Sequence, residues 1–351
     1  MSTQNIIEVG LSRDHLASLV KATPVGAVSE LIWNALDAEA TEVNVNLNYL
    51  GDTLLDIITV QDNGLGIHPD LLSSTLSEVG NSWKKKANIT PNKKRTLHGK
   101  QGKGRFQPFA LGNIVEWDTA YEENEKLYEF SLSANYADIK NFRFFDPIES
   151  DKGATGTTVT ISNISKTFPS LEDDNAQQRF TEEFALYLTQ YKDVSIFYQG
   201  ERLDPENAWL STHDESLDDL EIDDQKYSVD VTVIEWDSSQ ERGMFLCSKD
   251  GIKLEEVPKE ESRYQSKGKV FTAYIKSPYF EELQKKGELE LNVLKPEILD
   301  LVDQTKEVIR KYYRSLIAKS ASARVKQWKA SNIYPYTVSY THLTLPTTSR
   351  V

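Results

Sequence analysis

The chain has 351 residues, 39% hydrophobic and 27% charged, with a formal net charge of −14. This fits a soluble globular protein of two or three domains, and it argues against broad, non-specific nucleic-acid binding without excluding a local basic site. Cys247 is the only cysteine, and there is neither an apolar run near about 18 residues nor a charged-then-apolar leader, so an internal disulfide, a cysteine-rich metal site, export and membrane spanning are not expected and a cytoplasmic location is.

The first predicted element starts at Thr23-Pro24, an N-cap followed by proline at the first helical position. Along ELIWNALDAEA, Leu31, Ile32, Ala35 and Leu36 have the spacing of a buried face. At about 100° per residue, Glu30, Asn34 and Asp37 share an arc of roughly 60° on the other side. A carboxamide can hold a hard cation and a carboxylate can take a proton from water. Taken alone, the three residues read equally as a solvated face.

VNVNL (43–47) alternates like a half-buried strand, YLGD (49–52) reads as a turn, and LLDIITV (54–60) reads as a more buried strand. That strand runs into DNGLG, where Asp62 ends the strand and Gly64 and Gly66 let backbone approach a flat ligand. A buried carboxylate at Asp62 suits the exocyclic amine of adenine, and a tight Asn-Gly turn is the other reading. Residues 69–77 suggest a short helix. From Gly80 to Gly104 the chain reads as a long loop, of the kind that usually forms a lid or binding loop. Val79 to Val115 has no Asp or Glu but carries Lys84, Lys85, Lys86, Lys93, Lys94, Arg95, Lys100, Lys103 and Arg105, which marks a place for an anionic ligand or a solvated basic loop. Within it, GKQGKG (99–104) precedes a helical segment at 106–111, so backbone N–H groups and a helix N-terminus can face phosphates. It is not a Walker A loop. Strands are expected around 113–121, 126–132, 142–145 and 157–161. The last lies in TGTTVTI, whose Thr157 offers a hydroxyl beside the Asp62 strand. Helices followed by a largely antiparallel sheet make the fold class α+β.

A polar, acidic stretch at 166–175 suggests a domain boundary. Residues 180–191 read as a helix and 194–198 as a strand. Residues 212–225 read as a solvated acidic loop, and 227–236, 244–247 and 270–275 as strands. A long helix is expected over 296–328, with Val308, Ile309, Tyr312, Tyr313, Leu316 and Ile317 at helical spacing. The final VSYTHLTLPTTSRV (338–351) does not fit the rest. It resembles a translated adapter fragment, with the natural protein expected to continue past Tyr336.

In this order and spacing, the four segments resemble the GHKL ATPases of the Bergerat fold, which include gyrase-type topoisomerases, ninety-kilodalton heat-shock chaperones, histidine kinases and MutL-type proteins. The resemblance covers roughly residues 5 to 165. It implies a Bergerat-type ATP-binding domain over 1–165 and a truncated transducer or middle-type domain over 166–337, ahead of the adapter-like, non-native tail at 338–351. It implies ATP and Mg²⁺ as ligands. Glu30 then resembles the general base, Asn34 the magnesium ligand and Asp37 a supporting residue. Asp62 resembles the adenine-binding aspartate, with Thr157 behind it and Gly64 and Gly66 beside the base. Gly99, Gly102 and Gly104 resemble lid glycines, with Lys100 and Lys103 between them. LELNVLKPE (289–297) resembles the chaperone segment that carries a catalytic basic residue, which places Lys295 at the γ-phosphate; alone, Lys295 reads as a lysine before a helix-starting proline. The chain departs from the relatives as well: there is no room before Glu30 for a dimerisation helix, and neither the MutL nor the chaperone lid motif is present. The implied activity is a magnesium-dependent ATPase whose lid closure drives a conformational change or homodimerisation. The alternatives are an ATP-switched clamp with negligible turnover, or a DNA repair or topology factor whose DNA-binding part is missing. The client is not legible, and nothing in the sequence points to a nucleic-acid or membrane partner.

Overall fold

The computed structural model describes residues 4–10, 20–51, 53–70, 72, 90, 92–93, 95, 97–98, 104–151, 153–207, 209–236, 243–263 and 270–330. Among these, no helix is long and apolar enough to cross a membrane. The expected glycines and lysines Gly99, Lys100, Gly102 and Lys103, most of the 69–77 segment and the 338–351 tail lie outside the described residues.

The first body is a ten-stranded mixed sheet in the order β1-β6-β5-β4-β8-β3-β2-β9-β10, with β7 paired to β5. Its strands are β1 (Gln4–Glu8), β2 (Glu42–Leu50), β3 (Leu54–Asp62), β4 (Ile114–Glu123), β5 (Lys126–Asn135), β6 (Asn141–Phe145), β7 (Ile148–Glu149), β8 (Gly156–Ser162), β9 (Ser195–Tyr198) and β10 (Glu201–Arg202). Helix α1 (Pro24–Asp37) begins as its sequence dictates, with the Thr23 hydroxyl accepting from the Gly26 N–H at 3.1 Å and proline in the first turn. Leu31, Ile32, Ala35 and Leu36 are all buried in one core with Val43, Val45, Ile58 and Val60 of β2 and β3. Strand β2 alternates buried and part-exposed positions from Val43 to Leu47, so one sheet face carries the helices and the other meets solvent.

Beyond the expected division at residue 165, the chain continues into the same core. After α2 (Pro169–Glu172), helix α3 (Ala176–Gln190) buries Phe180, Phe184, Tyr187 and Leu188 there. Strand β9 then pairs parallel with β2, Val43 opposite Ile196. The first sheet and its core therefore run to Leu203.

The second sheet has the order β11-β14-β17-β15-β16. Its strands are β11 (Trp209–Ser216), β14 (Asp230–Trp236), β15 (Gly243–Cys247), β16 (Lys253–Glu256) and β17 (Val270–Lys276), and the hairpin β12 (Leu220–Ile222) and β13 (Gln225–Tyr227) stands beside it. The expected acidic loop at 212–225 is thus mostly strand. Edge position explains the difference: β11 alternates part-buried and exposed residues along its whole length, so its acidic side chains stay in water while its backbone pairs with β14. Period-2 alternation also divides the central strands. Val231, Val233, Phe271, Ala273 and Ile275 face α4 (Pro278–Lys286), α5 (Leu289–Asn292) and the first half of α6 (Pro296–Ala330), whereas Ile234, Trp236 and Tyr274 pack against Ala185 and Leu186 of α3.

Candidate nucleotide site

Strand β3 delivers Asp62 to the end of the central sheet, opposite Thr157 of β8. The turn that follows is fixed from both sides. Asn63 Oδ1 accepts the Thr41 and Glu42 backbone N–H groups at 2.8 and 2.9 Å, and its Nδ2 donates to the Thr41 hydroxyl at 2.9 Å. Leu65 N–H donates to the Ala38 carbonyl at 2.7 Å, which ties the turn to the end of α1. A Cβ on Gly64 would sit 2.6 Å from that same carbonyl oxygen. Gly66 has φ +75°, and a Cβ there would overlap the Ala120 carbonyl. Glycine is required at both positions by close backbone approach, and at Gly66 by conformation too.

The Asp62 carboxyl is pushed up to a pKa of about 6. Burial away from water is the cause, and the Gly64 and Thr157 backbone N–H groups offset part of it. Gly64 N–H donates to Asp62 Oδ1 at 2.7 Å. Behind the carboxyl, Gly156 of β8 runs so close that a Cβ would overlap the Asp62 backbone carbonyl. The Thr119 hydroxyl accepts the Ile67 N–H at 2.8 Å and lies 3.0 Å from the Thr157 hydroxyl. Thr119 and Asn63 were not singled out in the sequence. Asn63 had a signal in the Asp-Asn-Gly turn, but Thr119 had none, because the register of β4 against β8 places it there.

Glu30 and Asn34 lie one turn apart on α1, neither fully exposed, and Asp37 is buried. Asp37 Oδ1 accepts the His98 N–H at 2.8 Å. Gly104 opens a short 3₁₀ helix (Gly104–Ala110), and a Cβ on it would overlap the Glu30 carboxylate. The structure therefore brings Glu30, Asn34, Asp37 and Gly104 together along α1, and Asp62, Gly64, Gly66 and Thr157 together at the strand ends beside it. It does not bring Lys295 into either group. Lys295 precedes α6, its carbonyl accepts the Ile298 and Leu299 N–H groups, and Val293 and Ile298 around it belong to the second core.

The end of α1 also anchors the segment that leads toward Gly99. Glu39, at φ +64°, accepts the Asn92 and Lys93 N–H groups at 2.6 and 2.7 Å. Burial tends to raise the Glu39 pKa, but the Thr90 hydroxyl and these two amides outweigh it and hold the carboxyl below its ordinary value. The Arg95 side chain, 2% exposed, donates to the Ala40 carbonyl and to Asp193 Oδ2, both at 2.7 Å. The Trp33 ring stacks on His98 at 4.2 Å. Arg95 thus leaves the basic stretch as a ligand candidate and becomes a buried anchor.

Residues 22–155 match the family model described as histidine kinase-, DNA gyrase B-, and HSP90-like ATPase, so this segment is similar to the GHKL superfamily. Among curated proteins it is 31% identical over 145 residues to the DNA mismatch repair protein PMS1 of Arabidopsis thaliana, covering 41% of this chain and 14% of that protein. It is 48% identical over 54 residues to the DNA mismatch repair protein MutL of Aquifex aeolicus, covering 15% of this chain and 12% of that protein. The chain therefore spans only a small part of the length of these relatives. A solved structure, the Aquifex aeolicus MutL ATPase domain complexed with ADP, aligns at TM-score 0.41 and 16% identity over 76% of this chain and 97% of that one.

Proposed function

We propose that the chain binds ATP with Mg²⁺ and hydrolyses it. The observation that carries this reading is the Asp62 carboxyl: desolvated, paired with Thr157 across the strands, and held at a turn where Gly64 and Gly66 admit the close approach of the Ala38 and Ala120 carbonyls. A carboxylate in that state gains from a donor that enters with the ligand, and the exocyclic amine of adenine is such a donor. Glu30 then takes a proton from the attacking water, and Asn34 offers its carboxamide oxygen to the metal. Among the described residues no group of three or more His, Cys, Asp and Glu side chains gathers to hold a metal. In this reading the ion would be held mainly by phosphate oxygens and water, with one protein ligand. When bound, Mg²⁺ supplies charge neutralisation at the phosphates. Gly99, Lys100, Gly102, Lys103 and Gly104 form the phosphate-facing lid in this reading. Asp37 acts through His98 by holding the lid's near end. Lys295 joins when the second body closes, and closure pairs two copies in a homodimer. The single, buried Cys247 fits a reducing, cytoplasmic setting.

A calorimetric titration with a non-hydrolysable ATP analogue and Mg²⁺, beside Asp62→Asn, tests the reading. Saturable binding abolished by the substitution supports it, and failure of the folded, unsubstituted chain to bind overturns it. Turnover that vanishes in Glu30→Ala while binding persists separates an enzyme from an ATP-switched clamp. The similarity to proteins named for DNA mismatch repair supports a second reading, in which the ATP cycle serves DNA repair or topology.

A further inference from the structure

Helix α3 covers only part of the sheet face it packs on. Ile234, Trp236 and Tyr274 lie against its Ala185 and Leu186. Along the same face the next positions are polar: Thr232 and Asp230 on β14, Asp214 and Ser216 on β11, and Lys276 on β17. Between these side chains and the last turn of α3, at Thr189 and Gln190, lies a cavity of about 340 Å³. That is at the small end of the roughly 300–1,000 Å³ usual for ligand pockets.

The charges in this cavity do not neutralise one another. Asp230 and Lys276 occupy directly paired positions, yet Lys276 makes no hydrogen bond or ion pair among the described residues. Asp230 accepts the Ser216 hydroxyl at 2.6 Å, and Asp214 accepts that of Thr232. A hydroxyl donor fills one lone pair of a carboxylate but leaves its charge uncompensated. Glu215, the remaining acid of the lining, is drawn instead to His213 at 3.3 Å and to Lys311 at 3.9 Å. The carbonyl end of α3 at Gln190 adds partial negative charge beside the two aspartates.

The groups are also ordered along the strands. Lys276 and Asp230 share one row of the face, Asp214 and Thr232 the next, and Thr212 and Ile234 the one after, with Trp209 beyond. Successive rows are about 7 Å apart. A molecule lying along the strands therefore meets an ammonium, then carboxylates, then apolar side chains. Thr232 and Ile234 are buried and close the floor, whereas Asp214, Asp230 and Ser216 are exposed at the mouth. A metal ion does not suit the site: among the described residues no group of three His, Cys, Asp or Glu side chains gathers to hold one, and the Lys276 ammonium would repel it. A simple amine would leave Lys276 without a counter-charge.

We propose that this cavity binds a free α-amino acid with an apolar side chain. Its carboxylate meets Lys276 Nζ, its ammonium lies between Asp230 and Asp214, and its side chain runs along Ile234 toward the Trp209 ring. The same helix that walls the cavity lies against Trp33 of α1, so the ligand sits where the two bodies share an element. The inference does not rest on the nucleotide site.

The test is a calorimetric titration of the full chain with L-leucine and L-phenylalanine, each beside the amine that lacks its carboxylate, 3-methylbutylamine and 2-phenylethylamine. Saturable binding of at least one amino acid is expected, with a melting temperature that rises with its concentration. The matching amine is expected to bind about 10- to 100-fold more weakly, as for the loss of one charge-assisted contact. Lys276→Met should weaken the amino acid by the same factor and erase its advantage over the amine. Asp214→Asn combined with Asp230→Asn should weaken both ligands. Three results overturn the proposal: no binding of either amino acid by the folded, unsubstituted chain, equal affinity for acid and amine, or unchanged affinity in these variants. Binding of an oligolysine peptide without any amino acid bound also overturns it and makes the face a docking site for basic segments. The comparison of acid with amine needs no variant, so it stands even if a substitution unfolds the chain. Failure here leaves the ATP titration unaffected, so the two readings fail separately.

Discussion

Burial holds the Asp62 carboxyl at a pKa of about 6, against an ordinary value of 3.8. The folded state therefore binds this proton more tightly than the unfolded chain does. Stability falls as pH rises between those two values and stays reduced above them, by up to about 3 kcal/mol at neutral pH. Asp62→Asn removes the charge and keeps an oxygen for the Gly64 N–H. It is expected to raise stability at pH 7 in urea unfolding and to flatten the pH dependence, while nucleotide affinity collapses. A variant no more stable than the parent would show that the carboxylate is not desolvated. Gly66→Ala brings both a positive-φ cost and an overlap with the Ala120 carbonyl, so a loss of about 1–3 kcal/mol is expected by the same measurement. These residues were legible in the sequence because Asp-Asn-Gly-x-Gly after an apolar strand limits what the backbone can do. Thr119 and Gly156 were less so, since their place against Asp62 depends on strand register across the sheet.

The C-terminal end of α1 does more than finish a helix. Asp37, Glu39 and the Ala40 carbonyl receive His98, Asn92, Lys93 and Arg95 in turn. One short segment thus positions both the Glu30–Asn34 face and the chain that leads toward Gly99. A charge census along the sequence groups Arg95 with its basic neighbours, because it counts charge and cannot see burial. Arg95→Ala would strand the Ala40 carbonyl and leave a void, so a loss of about 2–4 kcal/mol is expected in urea unfolding. Arg95→Lys is expected to recover only part of this, since an ammonium on a single stem does not reproduce a guanidinium that reaches the Ala40 carbonyl and Asp193 together. Full recovery would mean that charge alone matters there. Helix α1, β2, β3 and β8 were readable from local pattern and capping. The parallel pairing of β9 with β2 and the edge strand β11 were not, because both depend on partners far away in the chain.

Helix α3 belongs to both bodies. Phe184 and Tyr187 lie against the Trp33 ring of α1, at 4.8 and 5.3 Å, while Ala185 and Leu186 face Ile234, Trp236 and Tyr274 of the second sheet. A Cβ on Gly251 would come within 2.8 Å of Leu186, so the turn before β16 also presses on this helix. One layer of α3 side chains therefore separates α1 from the second sheet. Lys295 lies just before α6 on that second body, and under the proposed function it joins the γ-phosphate when the body closes. Lys295→Ala is then expected to lower ATP turnover about 10²–10³-fold, in line with the removal of one stabilising charge or donor, while affinity for the non-hydrolysable analogue changes little. Leu186→Asp, which breaks the apolar contact without touching either site, is expected to lower turnover as well and to split thermal unfolding into two transitions. If both variants turn over ATP at the parental rate, the cation at the γ-phosphate comes from the first body and the two sheets act independently.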